Sequence, residues 1–270
     1  MNKTFDIKRF GRVVSNDLSL VWQNYGYSFI VLMLMPAIFC FFYTMFPIVF
    51  GGEVDLVRPW GRIVVLFITI FAFTVSFPNK VYGHITEKKA GTAFLMLPAS
   101  TLEKFASMVL VSALIAPAIL LAGFWIVDSI LSLTGAFIGG NLFTFINDLS
   151  INKNEFLSVN VWNAGFGSLA LNMLVFLLGA IYFKKSKAAR TILCLMAIAM
   201  VFSMVFGAFI SWVVDSPDFF NFDESAITAW IERHIDNAEF YVNLVLNTIR
   251  FGEAAIILGL IYLRVKTLKH

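Results

Sequence analysis

The chain has 270 residues, 59% of them hydrophobic and only 14% charged, with 30 phenylalanines and a formal net charge of +3. Its mean hydropathy is +0.83. This composition excludes a soluble chain and specifies an all-α polytopic membrane protein, read as one integral domain over residues 1–270.

In residues 1–24, Phe10, Val13, Val14, Val21 and Trp22 share one helical face, with Lys8, Arg9, Arg12 and Asp17 elsewhere. That pattern predicts an amphipathic helix lying in the membrane interface. No small-residue cleavage site follows the first apolar run, so the first span is expected to be retained. Six spans are expected, over about 27–50, 62–77, 105–127, 161–183, 191–214 and 241–263. Pro36 is expected to kink the first, the second to continue as helix past Pro78, and Pro117 to lie near the middle of the third. Residues 128–140 stay apolar up to Gly139-Gly140, so the third helix either extends outward or folds back. Asp128 is expected at the outer headgroup level without a special role. Residues 141–160 read as an exposed loop. In the acidic segment 215–240, Ile227, Trp230, Ile231 and Ile235 share a face opposite Glu224, Glu232, Arg233 and Asp236. This predicts an external amphipathic helix between the fifth and sixth spans.

Fifteen of the twenty Lys and Arg residues fall in the N-terminal segment, the 79–104 loop, the 184–190 turn and the C-terminal tail. Arg58, Arg62, Lys153 and Arg233 fall on the other side, and Arg250 lies within the sixth span. The positive-inside rule then makes both termini and the 79–104 loop cytosolic.

Residues able to carry chemistry are few. No Gly-Lys dipeptide occurs, so the phosphate-cradling GxxxxGK[ST] loop is absent, and HExxH and GxSxG are absent too. Cys40 and Cys194 fall inside spans and make no metal set. No catalytic residue, resident metal or cofactor and no nucleic-acid partner is therefore expected. Arg250 and Glu253, one turn apart in the sixth span, are the clearly intramembrane charges, readable as a coupling switch or as a self-neutralising structural pair. Ala199, Ser203, Gly207 and Ser211 recur every fourth residue, a small-residue face able to pack within the bundle or on a second copy.

The most informative stretch is 84–104, HITEKKAGTAFLMLPASTLEK. Glu87, Lys88 and Lys89 run into Gly91-Thr92, where glycine is suited to a turn of positive φ. Phe94, Leu95, Met96 and Leu97 form an apolar patch, Pro98 interrupts it, and Ser100-x-x-Glu103 is a capping box that opens the next helix. Between two spans this reads as a surface hairpin whose apolar patch must pack on the membrane or on a soluble partner.

Glu87-Lys-Lys-Ala-Gly91-Thr92, Leu95-Met-Leu97-Pro98-Ala-Ser100 and Glu103-Lys104 resemble the cytosolic loop of type-2 ABC exporter permeases. The six-span plan with an elbow helix and an external helix is similar to theirs as well. The resemblance implies a coupling helix docking into a separate P-loop ATPase through Glu87, Lys88, Gly91, Thr92, Phe94, Leu95 and Leu97. It implies a second permease chain, identical or homologous, with ATP and Mg on the ATPase, in a bacterial inner membrane. Reading the residues alone leaves two other classes open. One is an ion-coupled secondary transporter using Arg250 and Glu253; the other is a membrane scaffold or sensor in which the hairpin recruits a protein without flux.

Overall fold

The computed structural model describes residues 5–51, 56–87, 91, 92, 94, 96–138, 140–151, 161–214 and 224–267, and their side chains except at 147–151, 161–164, 213–214 and 224–243. Within these the chain is helical, apart from short connections and one isolated bridge between Val57 and Phe137. Five helices are long and apolar enough to cross a membrane, six when a bent helix pair at the N-terminal end counts as one span.

That pair is α1 (Ile7–Met33) and α2 (Met35–Phe50), bent by 42°. Asp6 caps α1 by accepting from the Lys8 amide at 2.9 Å. The helix runs unbroken through the expected junction near residue 24, and the break falls at Leu34. Pro36, whose missing amide suits a first helical turn, restarts the chain there as α2. Its buried stripe is Val13, Asp17, Val21, Tyr25 and Phe29, spaced four apart. Trp22, expected on the apolar face, is exposed, and Asp17, expected outside it, is buried. The Ser107 hydroxyl explains the second reversal, because it donates to the Asp17 carboxylate at 2.5 Å.

The second span is α3 (Pro59–Val81), which continues through Pro78 as expected. Tyr25 and Phe29 of α1 interlock with Phe73 and Phe77 of α3, with ring centroids 5.3–6.0 Å apart. The third is α4 (Thr101–Leu133). Its turn Val111–Ile115 is π-helical, just ahead of Pro117. A proline ring clashes with the carbonyl four residues earlier, here Ala113, and the widened turn gives that carbonyl room. The helix ends where Gly135 adopts φ 78°, and the chain folds back to put Phe137 beside Val57.

The expected loop after it holds a helix, α5 (Leu142–Ile151). The Asn141 side chain accepts from the Thr144 amide at 2.9 Å, and Leu142 is wholly buried against Val65 and Phe124. The remaining helices are α6 (Val161–Tyr182), α7 (Lys187–Val214) and α8 (Glu224–Thr267). Gly179 of α6 lets α7 close in, since a Cβ there would sit 2.9 Å from the Thr191 Cβ. The external helix and the sixth span, expected as separate elements, form one 44-residue helix. No glycine or proline interrupts it before Gly252. The amphipathic faces proposed for residues 224–240 lie outside the described side chains.

The main core joins α1, α3, α4, α6 and the last turns of α8 around Met108, Leu120, Met173, Leu177 and Ile261. At its end away from the basic loops lies a buried ion pair that corrects the expectation for Asp128, which was read as a headgroup-level residue without a special role. Arg62 and Asp128 are only 2% and 1% exposed. Arg62 Nε and Nη2 reach the two Asp128 oxygens at 3.0 and 2.5 Å, and Nη1 donates to the Gly140 carbonyl at 2.8 Å. Asp128 also accepts from the Leu142 amide at 2.7 Å, and the guanidinium lies 4.3 Å from the Phe137 ring centre. The pair therefore fastens α3 and α4 to the chain returning into α5. Removing one partner of a buried pair strands the other charge, which typically costs about 3–5 kcal/mol. Asp128→Ala and Arg62→Met should each lower the detergent-solubilised melting temperature strongly. The Arg62→Met/Asp128→Leu double variant should lose clearly less than the sum, as a double-mutant cycle would read.

Candidate functional site

Between α3 and α4 the chain forms the hairpin that the sequence placed there. After α3 a tight 3₁₀ turn, Gly83–Thr86, buries Ile85 and Thr86. Glu87 follows with its side chain exposed, and the Gly91 amide donates to the Glu87 carbonyl at 2.8 Å. Gly91, Thr92, Phe94 and Met96 are helical. Where a turn was expected, Gly91 is thus helical. Ser100 then caps α4 as a complete capping box: the Glu103 amide donates to Ser100 Oγ at 3.2 Å, and the Ser100 amide donates to Glu103 Oε2 at 2.8 Å.

The Glu103 carboxylate does more than cap. It is fully buried and also accepts from the Asp6 amide at 2.9 Å and from Arg9 Nε and Nη2 at 2.7 and 2.6 Å. A bidentate guanidinium is the strongest neutral-pH partner available to a carboxylate. Together with the Ser100 amide, these donors give the buried carboxylate charge-assisted partners on both oxygens. The next residue, Lys104, is buried too; its ammonium donates to the Phe94 carbonyl at 2.9 Å and lies 5.3 Å from the Phe94 ring centre.

A third tie comes from the opposite side. Lys187, first residue of α7, donates its ammonium to the Gly83 carbonyl, and that side chain lies 4.0 Å from Glu87. Gly83 has no Cβ to obstruct it; one built there would lie 3.1 Å from the Lys187 nitrogen. The hairpin is thereby tied to the start of α1 by Glu103 and to the start of α7 by Lys187, while Lys104 pins its helix.

Of the residues expected to meet a partner, Glu87 and Thr92 are exposed, Gly91 is buried and Leu97 is half-buried against the main core. Phe94 corrects the expectation: it is 7% exposed and belongs to the chain's own core, because its ring closes over the hairpin base beside Lys104. Met96, 82% exposed, takes the outward position instead. Lys88 and Leu95 lie outside the described residues. Arg9, Lys187 and Gly83 were not legible as members of this site. Arg9 and Glu103 stand 94 positions apart, and the one available clue was a capping glutamate with oxygens to spare.

The other candidate residues stand apart from the hairpin. Arg250 is half-buried and Glu253 exposed on α8, and among the described residues no ion pair joins them. Ala199, Ser203, Gly207 and Ser211 are all exposed along α7, and a Cβ at Gly207 would meet nothing within 4 Å. No group of three metal-ligating side chains occurs among the described residues. No family model matches the chain, nor does any curated protein or solved structure.

Glu103→Gln keeps a capping side chain but removes the charge that Arg9 meets, so its melting temperature in mild detergent should fall by a few degrees at pH 7. Arg9→Gln should fall about as far, and the double variant by less than the sum of the two, as a double-mutant cycle would read.

Proposed function

We propose that the chain is the membrane-spanning permease subunit of an ATP-driven exporter of the type-2 ABC class. A separate P-loop ATPase would bind ATP and Mg and dock on the hairpin, with both chain termini on the same, cytosolic side of a bacterial plasma membrane. The observation that carries this reading is the construction of the hairpin. It is tied to two other helices by buried or charge-assisted contacts, yet it keeps Glu87, Thr92 and Met96 outward. An ordinary interhelical loop needs no such anchoring, whereas a lever must move as one body with the helices it drives.

The ATPase would bias the permease only by contacting its two states differently. Force applied at Thr92 and Met96 would pass through Lys104 and Glu103 into α1 and α4, and through Gly83 and Lys187 into α7. These are the entries to three separate helices, so tilting the hairpin tilts all three together. The chain offers no phosphate-cradling loop of its own, which fits a division of labour between permease and ATPase.

A second permease chain would complete the bundle. The membrane-crossing part of α7 is 0% buried and that of α8 only 6%. The small residues of α7 and Glu253 of α8 are exposed, and Arg250 is half-buried. A carboxylate at membrane depth needs protein or water beside it, and a second copy across a translocation path supplies both.

Co-purification from native membranes tests the reading. Wild type should retain a P-loop ATPase whose hydrolysis rate changes on association. The Glu87→Arg/Met96→Asp variant should lose both while keeping its melting temperature, because neither side chain is part of the core. Phe94→Ala should instead lower stability, by roughly the 3–5 kcal/mol typical of core aromatic truncation. Wild type arriving without an ATPase would overturn the proposal.

A further inference from the structure

One cavity of about 470 Å³ opens where α6, α7 and α8 diverge at their basic ends. Its walls are almost wholly apolar, built from Leu178, Phe183, Leu195, Ile198 and Leu263 among others. α6 and α7 approach closely at Gly179 and Thr191, and the cavity opens beside that contact between residues of α6, α7 and α8. In a bilayer such a wedge fills with hydrocarbon at no hydrophobic gain, so apolar walls alone select nothing.

The rim supplies the selection. Arg264 lines the cavity, its Nε donating to the Ile181 carbonyl at 3.2 Å and its guanidinium carbon 5.4 Å from the Tyr182 ring centre. Those contacts leave the Nη groups of a fork built for phosphate oxygens. Lys184 and Lys185 follow the lining residue Phe183, Arg190 precedes Thr191, and Lys266 precedes Thr267. All four are exposed. No Asp or Glu occurs in residues 183–198 or 254–270, and the one carboxylate seen nearby, Glu87 on the turn packed against Phe183, lies 4.0 Å from Lys187. Arg264 on the wall and four exposed basic residues next in sequence to lining residues leave an excess of positive charge beside an apolar slot, which complements one kind of molecule: an amphiphile with an anionic head and an alkyl chain.

We propose that this wedge is a binding site for one anionic phospholipid of the leaflet on the basic side. Its acyl chain fills the space between α7 and α8 over α6, and its phosphate rests on Arg264 and Lys184-Lys185. The lipid bridges α7, which has no buried membrane-facing residues of its own, to the rest of the bundle. The proposal requires membrane insertion but not the exporter reading, and it stands or falls separately from ATPase capture.

The test is reconstitution in nanodiscs of palmitoyl-oleoyl phosphatidylcholine, titrated with palmitoyl-oleoyl phosphatidylglycerol, reading melting temperature and, by native mass spectrometry, retained lipid. Wild type should retain about one phosphatidylglycerol and melt higher with it than in phosphatidylcholine alone. Each neutralised rim cation should weaken retention about fivefold, the factor for one basic residue near a charged headgroup. Lys184→Gln/Lys185→Gln/Arg264→Gln should therefore lose it by roughly 100-fold. Leu195→Trp, which fills the slot and keeps every charge, should lose retention as well, whereas Lys8→Gln/Arg12→Gln on α1 should not. Equal retention of both lipids by wild type would overturn the proposal. So would unchanged retention in Leu195→Trp, or an equal loss in the α1 variant, since either would reduce the effect to general surface charge.

Discussion

A single carboxylate, that of Glu103, joins the parts of this molecule that face the basic side. It closes the capping box that starts α4, and it receives the Arg9 guanidinium and Asp6 amide that start α1. A buried carboxylate with idle oxygens would be costly, so once Glu103 is placed by the cap, its remaining lone pairs dictate where the N-terminal helix goes. Everything beyond follows as geometry. With its first turn fixed, α1 presents Val21, Tyr25 and Phe29 inward, and those residues pack with α3 and α4 in the main core. A short local motif thus positions a contact nearly a hundred residues away.

The outer end uses the same physics with different partners. Arg62 and Asp128 satisfy each other and also take up the Gly140 carbonyl and the Leu142 amide, two backbone groups of an irregular crossing that would otherwise lie without partners in an apolar setting. The two clamps differ in a useful way. The outer pair is sealed on both sides, whereas Arg9 at the inner clamp keeps its side chain 28% exposed. A sealed pair resists rearrangement because separating it strands two charges. A clamp with water at one edge can exchange partners at lower cost. In the proposed permease, this makes the outer end the fixed pivot and the hairpin end the moving one.

How much of this could be read from the sequence depended on the range of the signal. The helical class, several apolar helices long enough to cross a membrane, the capping box at Ser100, the break beside Pro36 and the passage of α3 through Pro78 are local features, written in hydropathy or in a missing amide, and the structure has them. Helix α5 was hidden because the average polarity of residues 141–160 masked a local signal: Asn141 as cap with Leu142, Phe145 and Ile146 on one face. The junction between the external segment and the sixth span was placed by hydropathy, yet a helix stops only where something breaks it, and residues 224–251 contain no glycine or proline. Phe94 shows the limit most clearly. Its place in an apolar run says that it will be covered, but whether by a partner or by its own chain depended on Lys104 reaching back to its carbonyl. The two charge clamps had no local signature at all.

Polarity left uncovered is as informative as polarity satisfied. Along α8, Asn247, Arg250 and Glu253 recur at one-turn spacing on a helix whose core anchors, Ile261 and Val265, lie only at its basic end. On α7 the small residues are exposed as well, and a Cβ at Gly207 would meet nothing within 4 Å. An isolated chain in a bilayer would hold these polar groups against hydrocarbon, at a cost of roughly 2.5–3.5 kcal/mol for each charge near the centre. That cost disappears if the α7–α8 side faces a second copy across a hydrated path, and the small-residue ridge is the surface along which such a copy could approach closely. On the basic side, a lipid lodged between α7 and α8 would brace the same two helices from below. The helices with the least internal packing are therefore the ones where the proposed partners of both kinds would add contacts, and in the proposed permease Lys187 would pass the motion of the hairpin into α7.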